Sequence, residues 1–381
     1  MRCVKADLIY TGTGLVKDAF VIFNDKTVAG ISSEMQGELI RECKVVTPAF
    51  IDPHSHIGMV RAGEPASESE SNDKQDTFLV LADALDSLQM DDQSLKDAFE
   101  AGVLYSCILP GSGNIIGGKS AVIRNYARDS SRAFIAEAGV KAAFGYNPMS
   151  TTSWSGSRPT TRMGALAMLR KKLDEVVRKE KRYRDASEEK RKEIDFSAEE
   201  EVLLQVLRRE TILRVHVHKI DDIATLLRLV DEFSVKVSVE HAMDVNKAHI
   251  FQELAGRGIA VIYGPVDAFA YKVELKHEHW RNIEHLLDSG VEFALMSDHP
   301  VTPARQLLLQ TRWFLRSGCT KEEAIEMITR RPAKLLGMDD RMGVLEQGRW
   351  ASFACWNGDP FDLASYPEAV LGEGEMLFQE D

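Results

Sequence analysis

Histidine and aspartate side chains fall just after short apolar runs at several separate places in this sequence, and together they have the makings of a metal-binding hydrolytic centre. The first place is His54-Ser55-His56, preceded by the run Val45-Val46-Thr47-Pro48-Ala49-Phe50-Ile51. Side chains alternate along a strand, so His54 and His56 point to the same side and can share a ligand. A second pair follows in Arg214-Val215-His216-Val217-His218, then Glu240-His241 after Val237-Ser238-Val239, and Asp298 in Met296-Ser297-Asp298-His299-Pro300. Imidazole and carboxylate suit zinc, and also iron or manganese, and three or four of them with an open position describe a hydrolytic site. One strand-end histidine such as His241 is more often a packed core residue than a ligand. Recurrence at four strand ends is far harder to obtain without a metal. His249, His277, His279 and His285 lie in helical or charged surroundings and read as surface or packing residues, while His299 reads as a neighbour of the centre.

The elements that must position these groups read as strands alternating with helices. Candidate strands cover residues 46–52, 103–109, 133–144, 213–217, 235–240, 259–263 and 291–296. They are nearly continuous apolar runs, and helical spacing lies between most of them, as in Ile223-Ala224-Thr225-Leu226-Leu227. That pattern predicts a parallel sheet covered by helices. A closed (β/α)8 barrel of the TIM type gathers ligands from several strand ends on one face, whereas an open sheet would spread them along a line. The strand count is one short of eight unless residues 133–144 hold two strands. Strand-and-turn spelling at both ends predicts a small composite β-sandwich from residues 1–48 and 340–381, with the barrel in residues 49–339. A charged helical hairpin is expected as an insertion near residues 170–200, with both signs interspersed along a solvated face. Residues 146–164, rich in Ser, Thr, Gly and Pro, read as a long functional loop.

With 381 residues, 44% hydrophobic and 28% charged, the chain has the composition of a globular protein with a large core. Its net charge of −12 disfavours nucleic acid and anionic membrane surfaces as partners and leaves a small-molecule substrate as the expected one. A homo-oligomer is compatible with this composition. The five cysteines are scattered and odd in number, which argues against a secreted disulfide framework. With no apolar signal core at the start and no run long enough to span a bilayer, the reading is cytoplasmic. Gly113-Asn114-Ile115-Ile116-Gly117-Gly118-Lys119-Ser120 fits the phosphate-loop spacing. That loop needs a helix opening at Lys119, whereas Ala121-Val122-Ile123-Arg124 reads as a strand. A glycine-rich loop at the barrel mouth is the preferred reading, and a nucleotide-dependent enzyme is the alternative.

Across nearly its whole length the chain resembles the metal-dependent amidohydrolase superfamily, and within it the imidazolonepropionase-like branch. The residues that carry the resemblance are Thr47-Pro48-Ala49-Phe50-Ile51-Asp52-Pro53-His54-Ser55-His56, Pro110-Gly111-Ser112-Gly113-Asn114, Thr161-Arg162-Met163-Gly164, His216-Val217-His218, Glu240-His241, Ser297-Asp298-His299-Pro300 and Arg331-Pro332-Ala333. The resemblance implies that His54, His56, His216, His241 and Asp298 bind metal, with His218 beside them. It also implies hydrolysis of an amide or cyclic amide C–N bond. In that reading Asp298 shuttles the proton, His241 or His218 polarises the carbonyl, and Arg162, Tyr146 and Asn114 contact substrate. Relatives commonly carry glutamate where Tyr146 stands, and those with two metals bridge them by a carboxylated lysine or a glutamate near there. Tyrosine cannot bridge in this way, so one metal is expected. Tyr146 also motivates a different reading, a binding protein that keeps the fold and has lost hydrolysis.

Overall fold

The computed structural model describes residues 1–61 and 69–380. The two ends of the chain build one seven-stranded sheet. Its N-terminal strands are β1 (Arg2–Tyr10), β2 (Leu15–Phe23), β3 (Val28–Ser32) and β4 (Glu38–Pro48). β4 then pairs antiparallel with a strand near the other terminus, Phe353–Trp356, through the register Phe353 to Pro48 and Trp356 to Val45. Two more C-terminal strands, Pro367–Gly372 and Glu375–Gln379, extend that edge. In place of the β-sandwich expected from the two termini stands one mixed sheet, because β4 pairs directly with the C-terminal strand; it has its own apolar cluster, including Val4, Val21, Val46, Phe353 and Leu371.

Eight strands make the barrel sheet in sequential order. They are β5 (Phe50–Ser55), β6 (Val103–Ile108), β7 (Ile116–Arg124), β8 (Phe134–Ala143), β9 (Leu213–Val217), β10 (Val237–His241), β11 (Val261–Tyr263) and β12 (Phe293–Leu295). Every residue of β5, β6, β9 and β10 is buried, which is why these strands read as continuous apolar runs. The missing eighth strand is β7, and residues 133–144 hold one strand, not two. The second half of β7, Ala121 to Arg124, already reads as a strand, while Gly117, Gly118, Lys119 and Ser120 interrupt the apolar pattern and mask its first half. Only a short glycine-rich loop joins β6 to β7, too little chain for a crossover, so β7 runs antiparallel to both β6 and β8. The other neighbouring pairs are parallel. Lys119 sits within β7 opposite Val140, so no helix N-terminus faces a phosphate there and the nucleotide reading loses its geometry.

The barrel closes through the two motifs that carry the candidate ligands. The Asp298 amide donates to the His54 carbonyl at 3.1 Å and the His56 amide to the His299 carbonyl at 3.0 Å. Asp52 accepts from the Ser297 amide at 3.0 Å and from the Ser297 hydroxyl.

The charged insertion is helical. The helix Arg162–Asp185 buries Leu166, Leu169, Leu173 and Val176, and packs on the helix Ala198–Leu207. Ion pairs Lys172–Glu199 at 2.7 Å and Lys179–Glu200 at 2.6 Å join the two. Thr161 caps the first helix, so Arg162 opens a helix and is not part of the preceding loop. Among the described residues no helix is long and apolar enough to cross a membrane.

Candidate metal centre

Five histidines and one aspartate converge where strands β5, β9, β10 and β12 end. His54 and His56 come from the end of β5, His216 and His218 from β9, His241 from β10, and Asp298 from just beyond β12; all are buried. Asp298 Oδ1 lies 3.5 Å from His54 Nε2 and 3.3 Å from His56 Nε2. Ring centroids of His216 and His241 are 4.4 Å apart, and His218 stacks on His241 at 4.7 Å. Donor atoms of His54, His241 and Asp298 lie within 4.8 Å of one another, as do those of His216, His218 and His241. The fold thus brings together every ligand position expected from the sequence, with His218 beside them.

Outer hydrogen bonds orient the rings. His54 Nδ1 meets Glu240 Oε2 at 2.7 Å, His56 Nδ1 the Leu109 carbonyl at 2.7 Å, and His241 Nδ1 the Gly264 carbonyl at 3.0 Å. Each contact engages one ring nitrogen and turns the other, Nε2, toward the centre. Glu240 is itself held by Arg214, whose guanidinium also donates to the Pro53 carbonyl at 2.6 Å.

The donor set fits a metal ion. His216 Nδ1, His218 Nδ1 and His241 Nε2 are buried and have no hydrogen-bond partner among the described residues. Buried polar atoms are nearly always paired, so three orphans turned into one cluster need an occupant. Burial lowers the pKa of His54, His216 and His241 well below the ordinary imidazole value and that of His218 to about 3, so these rings are neutral with a lone pair free for ligation. Burial pushes the Asp298 carboxyl upward, but its contact with the His56 ring and the nearby His54 ring and Lys141 ammonium outweigh that and hold its pKa below the ordinary carboxylate value, so the group is ionised. His241 (φ 79°) and Asp298 (φ 51°) both sit in the left-handed region. Such backbone costs on the order of 1–3 kcal/mol per residue and collects at functional sites.

Lys141, on β8, belongs to this cluster and is absent from the sequence reading. It is fully buried, with Nζ 3.3 Å from His54 Nε2. Burial lowers its pKa to about 8, against the pull of Glu240 and Asp298. A lone lysine in the apolar run Val140-Lys141-Ala142-Ala143 was the available signal. Glu274 is the second omission: it is buried with Oε1 3.2 Å from His216 Nε2, and its polar segment Tyr271-Lys272-Val273-Glu274 gave no signal.

The three expected substrate contacts have the following surroundings. Tyr146 is 40% exposed, and its amide donates to Glu274 Oε2 at 2.9 Å. Asn114 is spent inside the protein: its Nδ2 donates to the Asp73 carbonyl at 2.9 Å and its Oδ1 accepts from Arg158 at 2.5 Å. Arg162 pairs with Asp222 at 2.7 Å.

Comparison with known proteins agrees with this architecture. The sequence profile of the amidohydrolase family matches residues 125–375. The crystal structure of an amidohydrolase from Thermotoga maritima MSB8 superposes with a TM-score of 0.92 at 31% identity, covering 100% of both chains. Amidohydrolase tasK of Hapsidospora irregularis is 25% identical over 363 residues, which are 89% of this chain and 37% of that protein. The imidazolonepropionase of Hahella chejuensis is 31% identical over 155 residues, 39% of this chain and 36% of that one. The match thus spans little more than a third of the length of these curated relatives.

Proposed function

The chain belongs to the amidohydrolase family, and from that premise we propose that it is a metal-dependent hydrolase of amide or cyclic amide C–N bonds. The observation that carries the reading is the convergence of Asp298 with His54 and His56, beside unpartnered nitrogens of His216, His218 and His241, at one end of the barrel. His54, His56, His216, His241 and Asp298 would hold the metal, zinc being the first expectation, with iron or manganese as alternatives. A bound divalent ion supplies acidification of water to near neutral pKa and polarisation of a carbonyl oxygen.

The chain's own groups do the rest. Asp298, ionised and at the edge of the cluster, accepts the proton of the attacking water and delivers it to the leaving nitrogen; carboxylates serve this acid–base role when placed within reach. His241 directs its unpartnered Nε2 inward and is assigned to ligation. That leaves His218, neutral and stacked on His241, to donate a hydrogen bond to the carbonyl oxygen as charge develops there.

Lys141 extends the reading to two ions. Near neutral pH part of this lysine is unprotonated, and a free amine adds carbon dioxide: a C–N bond forms, a proton leaves, and a carbamate with two oxygens results. The family resemblance includes such a bridging lysine, and the 3.3 Å contact with His54 supports Lys141 in that place.

The test is metal analysis of the purified protein with turnover of dipeptides, N-acyl amino acids and cyclic ureides. Bound transition metal and turnover of at least one class are expected, with loss of at least about a hundredfold in Asp298→Asn. An intact fold without transition metal would sink the proposal. Stoichiometric ligand binding without turnover would favour the binding-protein reading, and unchanged turnover in Asp298→Asn would remove only the proton transfer.

A further inference from the structure

His216 is oriented in reverse of the other ligand histidines. His54, His56 and His241 have Nδ1 held by an outer acceptor, whereas His216 has Nε2 held and Nδ1 without a partner among the described residues. We infer that Glu274 is a positioning residue that fixes the Nε2–H tautomer of His216, so that this ring meets a metal ion through Nδ1. The inference rests on the cluster being a metal centre and is independent of which bond is hydrolysed.

Glu274 follows β11 and reaches back across the barrel mouth to β9. Its Oε1 is 3.2 Å from His216 Nε2, and its Oε2 accepts the Tyr146 amide at 2.9 Å. Asn147 completes the arrangement. Its amide satisfies every neighbour when the nitrogen donates to Glu274 Oε1 at 3.2 Å and the oxygen accepts from Lys272 Nζ at 3.3 Å and His216 Nε2 at 3.2 Å. His216 Nε2 thus faces two acceptors, Glu274 and Asn147, and must be the nitrogen that carries the proton. Lys272 Nζ, 3.8 Å from Oε1, provides the opposite charge that keeps a buried carboxylate in place.

The local backbone makes room for this one side chain. Gly145 has φ +81°, and a Cβ there would lie 2.9 Å from Glu274 Oε2 and 3.3 Å from Asp222 Oδ2. A carboxylate on the remote N–H of a ligating imidazole fixes its tautomer and raises its basicity. A carboxylate that merely fastened the β11 loop to Tyr146 would place no demand on the ring proton.

Long-range ¹H–¹⁵N NMR of the zinc-loaded full chain with ¹⁵N-histidine reads that proton directly. The His216 signal, assigned by its loss in His216→Gln, is expected to carry hydrogen on Nε2, while His54, His56 and His241 carry it on Nδ1. Glu274→Ala is expected to weaken zinc binding by about 10- to 100-fold in chelator competition and to lose the His216 Nε2 proton signal. Glu274→Gln keeps an acceptor oxygen and is expected to restore the signal with part of the affinity. If Glu274→Ala does not fold, Glu274→Gln carries the test: weakened zinc binding supports the inference and unchanged binding overturns it. A His216 proton on Nδ1, or zinc affinity within about twofold in Glu274→Ala, overturns the inference while leaving the metal centre standing. No zinc bound at all overturns both.

Discussion

Lys141 is buried in a barrel wall where an ordinary ammonium is costly, and its Nζ lies beside His54, a ligand of the proposed centre. If it is carboxylated, metal loading will depend on dissolved carbon dioxide. Protein stripped and reloaded in carbon-dioxide-free buffer should take up fewer metal equivalents than protein reloaded with bicarbonate. Lys141→Ala should lose an equivalent of metal and at least about tenfold in turnover. Indifference to bicarbonate together with normal loading of Lys141→Ala would exclude the bridge. The histidines were legible in the sequence because alternation and strand-end position are local signals. Lys141 was not, because its meaning lies in His54, 87 residues away. The same holds for Glu274, whose partner His216 is 58 residues distant and whose own segment looks like ordinary surface.

Among elements, the insertion shows how little its many charges need contribute. Its ion pairs are partly exposed, Lys172–Glu199 and Lys179–Glu200 among them, and such pairs supply about 0–1 kcal/mol each. Burying a leucine or valine contributes about 1.5–3 kcal/mol, so Leu166, Leu169, Leu173 and Val176 hold the hairpin more firmly than the charges do. The helix Ala198–Leu207 also begins with a reciprocal cap between Ser197 and Glu200. Ser197→Ala should cost about 1 kcal/mol by denaturant unfolding and leave turnover unchanged. Turnover falling in step with stability would show instead that the insertion supports the centre. Apolar periodicity and mixed charge made this hairpin legible from sequence. Only the second half of β7 is legible, because the glycines of its first half are there for close approach: Gly118 has φ +128°, and a Cβ would lie 2.3 Å from the Ala82 carbonyl oxygen. Arg162 reads as a loop residue because the Thr161 cap, taken in isolation, resembles any threonine in a polar stretch.

For the whole molecule, a metal ion that binds only the folded state should stabilise it by mass action, by about 4 kcal/mol at a thousandfold excess over its dissociation constant. Chelation should therefore lower the melting temperature and added zinc should restore it; an unchanged Tm would mean that the centre binds zinc too weakly to matter. The barrel seam has a consequence for how the protein comes into being. Asp52 and Ser297, which lace the first strand to the last, are 245 residues apart, and Thr47 and Trp356, bonded across the terminal sheet, are 309 apart. A chain emerging from the ribosome displays His54 and His56 long before Asp298 has been synthesised. Neither the seam nor the full ligand set exists until then, and contacts of such long range form late. A nascent or prematurely terminated chain thus carries His54 and His56 without Asp298, and the proposed centre is completed only after synthesis has passed Asp298.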